Sequence, residues 1–253
     1  MRTFVMGDIH GAWKAVKQCL ERSEFDYRTD ELIQLGDITD GHSQVYECVE
    51  ELLRLEHLVA IRGNHDEWFR LYLHRGYHPD GWRQGGYATA RSYLRPFGKE
   101  DLVVKGLSGY ETALNTGDIP DSHKRFFDHQ VLYYVDGEQN CFVHAGFDRE
   151  LPFYGQREEV YLWDRSLWQK ALSFKASSRG SNENSRFYCC TPFHKIFIGH
   201  TPTLAWKTDQ PMQAGQIHNL DTGAGSSGRL TIMCLASQQY WQSDSLSDLY
   251  PEG

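Results

Sequence analysis

Short, mostly apolar runs alternate with amphipathic stretches along the first 75 residues of the chain. The runs predict buried strands at Thr3–Met6, Leu32–Leu35 and Leu58–Ile61. Helical spacing of the apolar positions predicts helices at Trp13–Arg22, Val45–Leu55 and Trp68–Arg75. Strands and helices that alternate in this way form a parallel sheet with crossover helices. We therefore predict that the chain begins as an α/β fold.

The pattern changes after residue 75. The segment Gly76–Gly86 is rich in Gly, His and Trp, which is typical of a loop, and we expect it to lie over a site. A helix at Asp121–Gln130, a hairpin over 131–144, a helix near Val160–Leu172 and a polar loop, Lys175–Arg186, are predicted next. The last strands are expected at Lys195–Ile198, Ile217–Leu220 and Leu230–Leu235. Without a repeat or a convincing linker, residues 1–253 are predicted to form one domain.

Polar motifs follow the apolar runs at five places. They read GDIHG at 7–11, GDITDG at 36–41, GNHD at 63–66, HAG at 144–146 and GHT at 199–201. In open α/β sheets, ligands gather at the carboxyl ends of the strands, so we expect these side chains to meet. Their carboxylate, amide and imidazole groups suit Mn²⁺, Fe or Zn²⁺. A single Asp in such a place is usually a turn residue, and a single buried His is usually just hydrogen-bonded. The five motifs together predict a dinuclear metal centre in a metal-dependent phosphoesterase, with Asp37 as the bridging carboxylate.

Composition and charge narrow the function classes. The chain has 253 residues, of which 40% are apolar and 13% aromatic, so it can bury a core. A net charge of −8 argues against binding to a nucleic acid polymer through bulk positive charge. Met1 and Arg2 lead almost at once into the first strand and no apolar run approaches a membrane span, so we expect neither a signal peptide nor a membrane partner. The six cysteines lack zinc-type spacing, and a reduced cytoplasmic setting is the simplest expectation.

The order of the five motifs resembles the metallophosphoesterases of the serine/threonine phosphoprotein phosphatase family. The bacterial and phage branch of that family, with the lambda phage phosphatase and the symmetrical diadenosine tetraphosphatases, is especially similar. The stretches Trp82-x-Gln84-Gly85-Gly86 and Asp221-Thr222-Gly223-Ala224 add to this likeness. The resemblance implies the metallophosphoesterase fold, in which two packed mixed β-sheets are flanked by helices in four layers, αββα.

The resemblance also implies roles for particular residues. One divalent ion would be held by Asp8, His10 and Asp37, and a second by Asp37, Asn64, His144 and His200. Mn²⁺ is the expected ion, with Fe, Zn²⁺ and Ni²⁺ as alternatives. A hydroxide bridging the two ions would attack phosphorus. His65 would act as the general acid that protonates the leaving group, and Asp40 would orient it.

The chain departs from the family at one phosphate-binding position. The second motif usually continues with an arginine after its last aspartate, but here Gly41 follows Asp40. The other phosphate-binding arginine of the family matches Arg165, in Trp163-Asp164-Arg165, although an exposed helix arginine is an alternative. His42 and two loop residues, Arg179 and Arg186, are candidates to replace the missing contact, with surface positions as the alternative for each.

Several other polar and aromatic residues have no motif context. Five histidines are expected to be ordinary surface or loop residues: His74, His78, His123, His129 and His218. Asp221 is expected to make a turn, and three aromatic residues could line a substrate wall or pack in the core: Trp82, Tyr87 and Tyr93.

The sequence predicts a phosphomonoesterase, with a phosphorylated protein or small phosphoester as substrate and a serine/threonine protein phosphatase as the leading interpretation. A symmetrical dinucleoside polyphosphate hydrolase is the alternative within the same chemistry. A catalytically weak phosphate-binding module is the alternative from another class.

Overall fold

Two five-stranded mixed sheets form the centre of the structure, a computed structural model that describes residues 1–107, 109–177 and 187–251. The first sheet consists of β1 (Thr3–Met6), β2 (Glu31–Gln34), β3 (His57–Ala60), β11 (Thr231–Cys234) and β12 (Tyr240–Gln242), in the order β12-β11-β1-β2-β3. The strands β1, β2 and β3 are parallel, as their alternation with helices predicts, while β11 and β12 pair antiparallel.

The second sheet takes its strands from the later half of the chain. It consists of β6 (Tyr133–Val135), β7 (Cys141–Val143), β8 (Ile196–Ile198), β9 (Met212–Ala214) and β10 (Ile217–Asn219), in the order β6-β7-β8-β10-β9. β7, β8 and β10 are parallel to one another. A separate hairpin is formed by β4 (Val103–Gly106) and β5 (Gly109–Thr112).

Eight α-helices are present among the described residues: α1 (Trp13–Arg22), α2 (Val45–Leu52), α3 (Asn64–Arg75), α4 (Gly86–Leu94), α5 (Asp121–His129), α6 (Glu158–Trp163), α7 (Ser166–Ser177) and α8 (Leu246–Leu249). Short 3-10 turns lie at 80–84, 95–97, 100–102, 116–118 and 203–206. No helix within the described ranges combines the length and the apolar character needed to cross a bilayer.

Alternating side chains on the strands divide the core into layers. Val5, Ile33, Phe142 and Phe197 pack between the two sheets, and the rings of Phe142 and Phe197 stack at a centroid distance of 5.1 Å. On β1, the neighbours of Val5 point to the opposite face and pack against helices of the first half of the chain. A third cluster covers the second sheet with side chains from α6 and α7. The predicted αββα metallophosphoesterase architecture is therefore confirmed.

Two predicted helices differ from the structure near the polar motifs. α3 begins at Asn64, four residues before the predicted start, because the side chain of Asp66 accepts a hydrogen bond from the Gly63 N–H and so caps the first turn of the helix. The helix predicted near Val160–Leu172 is two helices, since the carboxylate of Asp164 accepts from the backbone N–H of Leu167 and starts α7. The segment predicted as a loop at 76–86 contains a 3-10 turn and the first residue of α4.

The prediction of a surface or loop position is wrong for two of the five histidines. His123 is fully buried between the hydroxyl of Tyr93, 2.9 Å away, and the carboxylate of Glu50, 2.7 Å away. His218 lies on β10, where its ring stacks on Phe197 at 4.9 Å. Both are packing residues on the inner faces of their elements, which a histidine can occupy when its neighbours are aromatic.

Candidate active site

The five polar motifs meet at the carboxyl ends of the parallel strands of both sheets. Asp8 and His10 follow β1, Asp37 follows β2, and Asn64 opens the helix that follows β3. His144 and His200 come from the ends of β7 and β8 in the second sheet. The six residues thus converge because both sheets present the same ends of their strands to one crevice.

Asp37 occupies the centre of this cluster. Its Oδ2 lies 3.4 Å from Nε2 of His144 and 3.6 Å from Nε2 of His10. The Oδ1 of Asn64 is 3.0 Å from the same nitrogen of His144. Two groups of possible metal ligands can be distinguished, and within each group the ligand atoms lie within 4.8 Å of one another. The first group is Asp8, His10 and Asp37, and the second is Asp37, His144 and His200. One carboxylate therefore belongs to two adjacent sets of possible metal ligands, the arrangement a bridging ligand requires.

The chemistry of these groups fits bound cations. Among the described residues, Oδ1 of Asp8 and Nε2 of His200 are buried and have no hydrogen-bond partner. A buried polar atom without a partner costs free energy, so a cation bound by Asp8 and a cation bound by His200 would each remove such a cost. Asp8 and Asp37 are both about 2% exposed, and two buried carboxylates so close together require positive charge nearby.

Burial sets the protonation of the histidines. It lowers the pKa of His10 to about 4 and that of His200 to about 2, where the neighbouring imidazole of His144 adds to the effect. Burial alone would raise the pKa of Asp37, but the surrounding imidazoles, first that of His144, hold it below its ordinary value. At neutral pH, His10 and His200 are consequently neutral imidazoles, and the central Asp37 carboxylate is ionised.

Four residues of the site have left-handed backbone conformations that residues other than glycine rarely adopt. Their φ angles are 50° at His10, 54° at Asp37, 69° at Asp40 and 64° at His200. Such strain persists where the surroundings hold the chain firmly, and it clusters at functional sites. Here the backbone N–H of His10 donates to the carbonyl of Asp37 at 2.8 Å, and that of His200 donates to Asp8 Oδ2 at 2.9 Å.

Asp66, the last residue of the GNHD motif, ties the second motif to the third. Its carboxylate accepts five hydrogen bonds, from the backbone N–H groups of Ile38, Thr39 and Gly63, from the Thr39 hydroxyl and from the Gln130 amide. It is completely buried. The sequence pattern alone did not assign this residue a role, although its place in the motif was a signal.

His65 and Asp40, predicted as general acid and orienting carboxylate, are in contact. Nδ1 of His65 lies 2.7 Å from Oδ2 of Asp40. The other oxygen of Asp40 accepts from the indole N–H of Trp82 at 3.0 Å and from the hydroxyl of Thr89 at 2.7 Å. Trp82 is fully buried, so it packs in the core and does not form a substrate wall. Thr89, on α4, had no recognisable sequence signal.

The carboxylates around His65 favour its charged form. Burial would lower the pKa of His65, but Asp37 and the hydrogen-bonded Asp40 outweigh burial and raise it to about 9. Cations held by Asp37 would offset part of that attraction. The imidazolium is thus stabilised next to the cluster, with Nδ1 engaged and Nε2 available.

Arg165 lies at the break between α6 and α7 and lines the same cavity as His65. Its Nη1 donates to the carbonyl of His200 and to the hydroxyl of Thr201, both at 3.1 Å. His42 is turned elsewhere: its Nε2 lies 3.1 Å from the Ala224 carbonyl, and its ring stacks on Tyr250 at 4.4 Å. Arg179 and Arg186, the other candidates for the missing contact, lie outside the described residues.

The open cavity above the cluster has a volume of about 490 Å³ and is lined by Asp37, His65, Arg165 and Asp221, among others. Asp221 makes the predicted turn, since its carboxylate accepts from the Gly223 N–H at 3.0 Å. It is also a buried carboxylate beside the site, and burial raises its pKa to about 7. Two tryptophans, Trp68 and Trp163, stand at the edge of the cavity.

Comparisons with known proteins agree with this geometry. Residues 1–204 match the calcineurin-like phosphoesterase family. The symmetrical bis(5'-nucleosyl)-tetraphosphatase of Pseudomonas putida (strain W619) is 33% identical, with 98% of this chain and 94% of that protein covered. Serine/threonine-protein phosphatase 1 of Salmonella typhimurium (strain LT2) is 36% identical over 64 residues, which are 25% of this chain and 29% of that protein.

A likeness among solved structures concerns the fold. The crystal structure of a candidate diadenosine tetraphosphatase aligns with a TM-score of 0.60 at 15% identity, covering 95% of this chain and 92% of its own. Together with the match over residues 1–204, the strand-end cluster and its shared Asp37 lead to one conclusion. The chain belongs to the calcineurin-like phosphoesterase family of metal-dependent hydrolases.

Proposed function

We propose that this phosphoesterase is a phosphomonoesterase of the protein phosphatase type, which removes phosphate from phosphorylated side chains. The observation that carries the proposal is the pairing of His65 with Asp40 at 2.7 Å beside the shared carboxylate of Asp37. It combines a proton donor for the leaving group with a site for cations, which is what hydrolysis of an alkyl phosphate ester needs.

Six residues would hold the cations, which we propose to be two Mn²⁺ ions: Asp8, His10, Asp37, Asn64, His144 and His200. Such ions, when bound, lower the pKa of water towards neutrality and act as Lewis acids on the phosphoryl oxygens. Arg165 contributes its remaining N–H donors to the same oxygens, because only its Nη1 is used for contacts with the backbone of His200 and with Thr201.

His65 delivers the proton that the departing alkoxide requires. Its Nδ1 is held by Asp40, so Nε2 carries the transferable proton towards the cavity. Trp82 and Thr89 fix Asp40 in turn, so the imidazole ring keeps one orientation.

The charge of the cavity supports a monoester as the substrate. Within the part of the chain that the structure describes, Arg165 is the one arginine or lysine among the lining residues. A single guanidinium matches one terminal phosphoryl group, whereas a chain of four phosphates would gain from several cations placed along it.

A symmetrical dinucleoside tetraphosphate hydrolase is the second candidate function. The Pseudomonas putida relative, similar over nearly its whole length, favours it, while the match to the Salmonella phosphatase spans less than a third of that protein. The two functions share the cation site and the acid, and they differ in what must bind on the leaving-group side of the cavity.

Product analysis separates the two functions. The Mn²⁺-loaded protein is offered a phosphoserine peptide and diadenosine tetraphosphate in parallel, and products are resolved by chromatography. We expect inorganic phosphate from the peptide at a higher kcat/KM than nucleotide from the dinucleotide. Faster release of adenosine diphosphate would overturn the protein phosphatase proposal, and absence of turnover on both would favour the catalytically weak phosphate-binding alternative.

A further inference from the structure

A tight turn at residues 223–228, of sequence GAGSSG, forms one wall of the cavity above the cluster. The backbone N–H groups of Ser226 and Gly228 both donate to the carbonyl of Gly223 at 3.0 Å, and these two bonds close the turn. Gly223, Gly225 and Ser226 line the cavity. This wall therefore consists of main-chain atoms and one short side chain.

The turn contacts the imidazole of His10, one of the candidate metal ligands. A Cβ atom at Gly225 would lie 2.6 Å from Cδ2 of His10 and 3.0 Å from its Nε2, so a glycine is needed for this close approach. The same Nε2 is 3.6 Å from Oδ2 of Asp37, at the centre of the cluster. A phosphoryl group bound at the cluster would consequently lie beside the main chain of the turn.

The N–H groups of Ala224 and Gly225 have no hydrogen-bond partner among the described residues. Ala224 is 1% exposed, and a buried N–H without an acceptor is rare unless water or a ligand supplies one. The carbonyl of Ala224 accepts from Nε2 of His42 at 3.1 Å, and in a trans peptide the N–H of Gly225 points the opposite way. Gly225 is a lining residue and His42 is not, so that N–H is directed to the cavity.

The backbone at Gly41 has no room for the arginine that the family places after Asp40. Gly41 has a φ of 72°, which is left-handed, and a Cβ atom there would lie 2.8 Å from Cβ of His10. Gly41 lines the same cavity as Gly225, and both approach His10. The turn thus lies next to the position from which the side chain is missing.

We propose that the N–H groups of Ala224 and Gly225 bind a phosphoryl oxygen of the substrate in place of the missing arginine, and that His42 and Tyr250 are positioning residues that hold the turn. This inference rests on the proposed phosphomonoesterase function. Fixed N–H dipoles stabilise an oxyanion without reorganisation, since the fold already orients them. They would supplement the donors of Arg165 without adding a second charge to the cavity.

His42 is held in turn by the C-terminal segment. Its ring stacks on that of Tyr250, with 4.4 Å between the centroids. The hydroxyl of Tyr250 donates to Oε1 of Gln44 at 2.6 Å and accepts from the backbone N–H of Lys14 at 3.0 Å. Because a carbonyl can only accept, Nε2 of His42 carries the proton and donates to Ala224. These contacts fix the peptide plane whose N–H faces the cavity.

Ala224→Pro removes one of the two N–H groups and keeps the turn. Proline suits the second position of a turn, and Ala224 has that position in the turn closed between Gly223 and Ser226. We expect the dissociation constant of inorganic phosphate, measured by calorimetry on the Mn²⁺-loaded protein, to rise about ten-fold or more, because a hydrogen bond to a charged group is lost.

Gly137→Pro is the matched control. Gly137 has the second position of an exposed turn closed by a hydrogen bond from the Gln139 N–H to the Asp136 carbonyl, and a Cβ atom there would meet no other atom within 4 Å. This variant should bind inorganic phosphate as the wild type does. Metal content and thermal unfolding are measured for both proline variants.

Two variants of His42 test the positioning role. His42→Phe keeps a ring for Tyr250 and loses the donor to Ala224. We expect the dissociation constant of phosphate and the KM for a phosphoserine peptide to rise together, about three- to ten-fold, while kcat changes less and the Mn²⁺ content is unchanged. His42→Gln, whose amide can donate to the same carbonyl, should restore most of the affinity.

The outcomes are distinguishable. Phosphate bound equally well by wild type and Ala224→Pro would overturn the inference, and continued hydrolysis of the phosphoserine peptide would leave the phosphomonoesterase proposal standing. Weaker phosphate binding in Ala224→Pro, with no hydrolysis of the peptide by the wild type, would support the turn and overturn the proposed function. If Ala224→Pro loses its metal or its fold, equal phosphate affinities of wild type, His42→Phe and His42→Gln would overturn the inference.

Discussion

Nδ1 of His65 lies 2.7 Å from Oδ2 of Asp40, so that the two ring nitrogens of the histidine have different tasks. The nitrogen bound to Asp40 fixes the ring, and the opposite nitrogen faces the cavity. Asp40 is held by its own partners and is only 1% exposed, which keeps water from competing for the carboxylate. The pair is therefore prepared for proton transfer before a substrate arrives.

Replacing His65 by Asn should remove proton transfer and keep the cations. We expect kcat for alkyl phosphate esters to fall about 10²–10⁴-fold and kcat for aryl esters much less, because aryl leaving groups need less protonation. Steady-state kinetics with both ester types measure this, and metal analysis verifies loading. His74→Asn, an exposed histidine on the same helix, is the control. Equal slowing of both esters would count against the general acid.

Replacing Asp37 by Asn should empty both cation sites. The side chain belongs to both groups of possible ligands, and an amide lacks the charge that a bridging ligand provides. Metal content per chain after dialysis is the measurement, and we expect it to fall below one equivalent. Asp30→Asn is a matched control, since Asp30 is a buried carboxylate that pairs with Arg2 away from the site. Two full equivalents retained in Asp37→Asn would exclude the bridging role.

Replacing Trp82 by Phe should impair proton transfer without touching the substrate. Phe keeps the packing but loses the N–H that donates to Asp40 at 3.0 Å. Since a hydrogen bond to a charged group contributes about 1.5–3 kcal/mol, we expect kcat for alkyl esters to fall about ten-fold or more. Tyr93→Phe loses a buried hydrogen bond to His123 and serves as the control. A uniform loss for alkyl and aryl esters would indicate a purely structural effect.

The stability of the protein should depend on pH through His218. Burial, with a smaller repulsion from Lys195, lowers its pKa from 6.5 to about 4. As the pH falls below 6.5, the unfolded chain binds this proton before the folded chain does. The free energy of unfolding therefore decreases as the pH falls from 6.5 to 4, and above this range His218 does not change it.

His218→Gln removes this titration. Between pH 6.5 and 4, the free energy of unfolding should fall by roughly 2–3 kcal/mol less in the variant than in the wild type. Urea unfolding at a series of pH values measures the difference. The variant is expected to be less stable than the wild type at pH 7, because the stacking on Phe197 is lost. Parallel pH profiles for the two proteins would refute the assignment.

Much of the candidate site could be predicted from local patterns. Apolar runs of strand length predict where strands end, and the polar motifs that follow them predict which side chains gather there. The structure brings Asp8, His10, Asp37, Asn64, His144 and His200 together as that reasoning expects. Their roles as metal ligands stay a prediction, as does the identity of the ions.

Other features of the site were not predicted. Arg165 was matched by its motif, but the helix break that brings it to the cavity was not: Asp164 ends one helix and starts the next, where the helical spacing of 160–172 predicted a single helix. Thr89 supports Asp40 from a helix with an ordinary sequence. His42, placed beside the missing arginine by sequence, turns towards Ala224 and Tyr250 instead.

By itself, the sequence determined the family, the parallel strands in the first part of the chain and the set of polar residues at the strand ends. The hydrophobic periodicity of strands and helices and the residue preferences of turns depend on residues close together in the sequence. For that reason they can be predicted from a single sequence. Only the tertiary structure decided that Trp68 and Trp163 meet beside His65 and that Trp82 supports Asp40. Those contacts join distant elements, and they depend on how the helices pack over the two sheets, which no local pattern encodes.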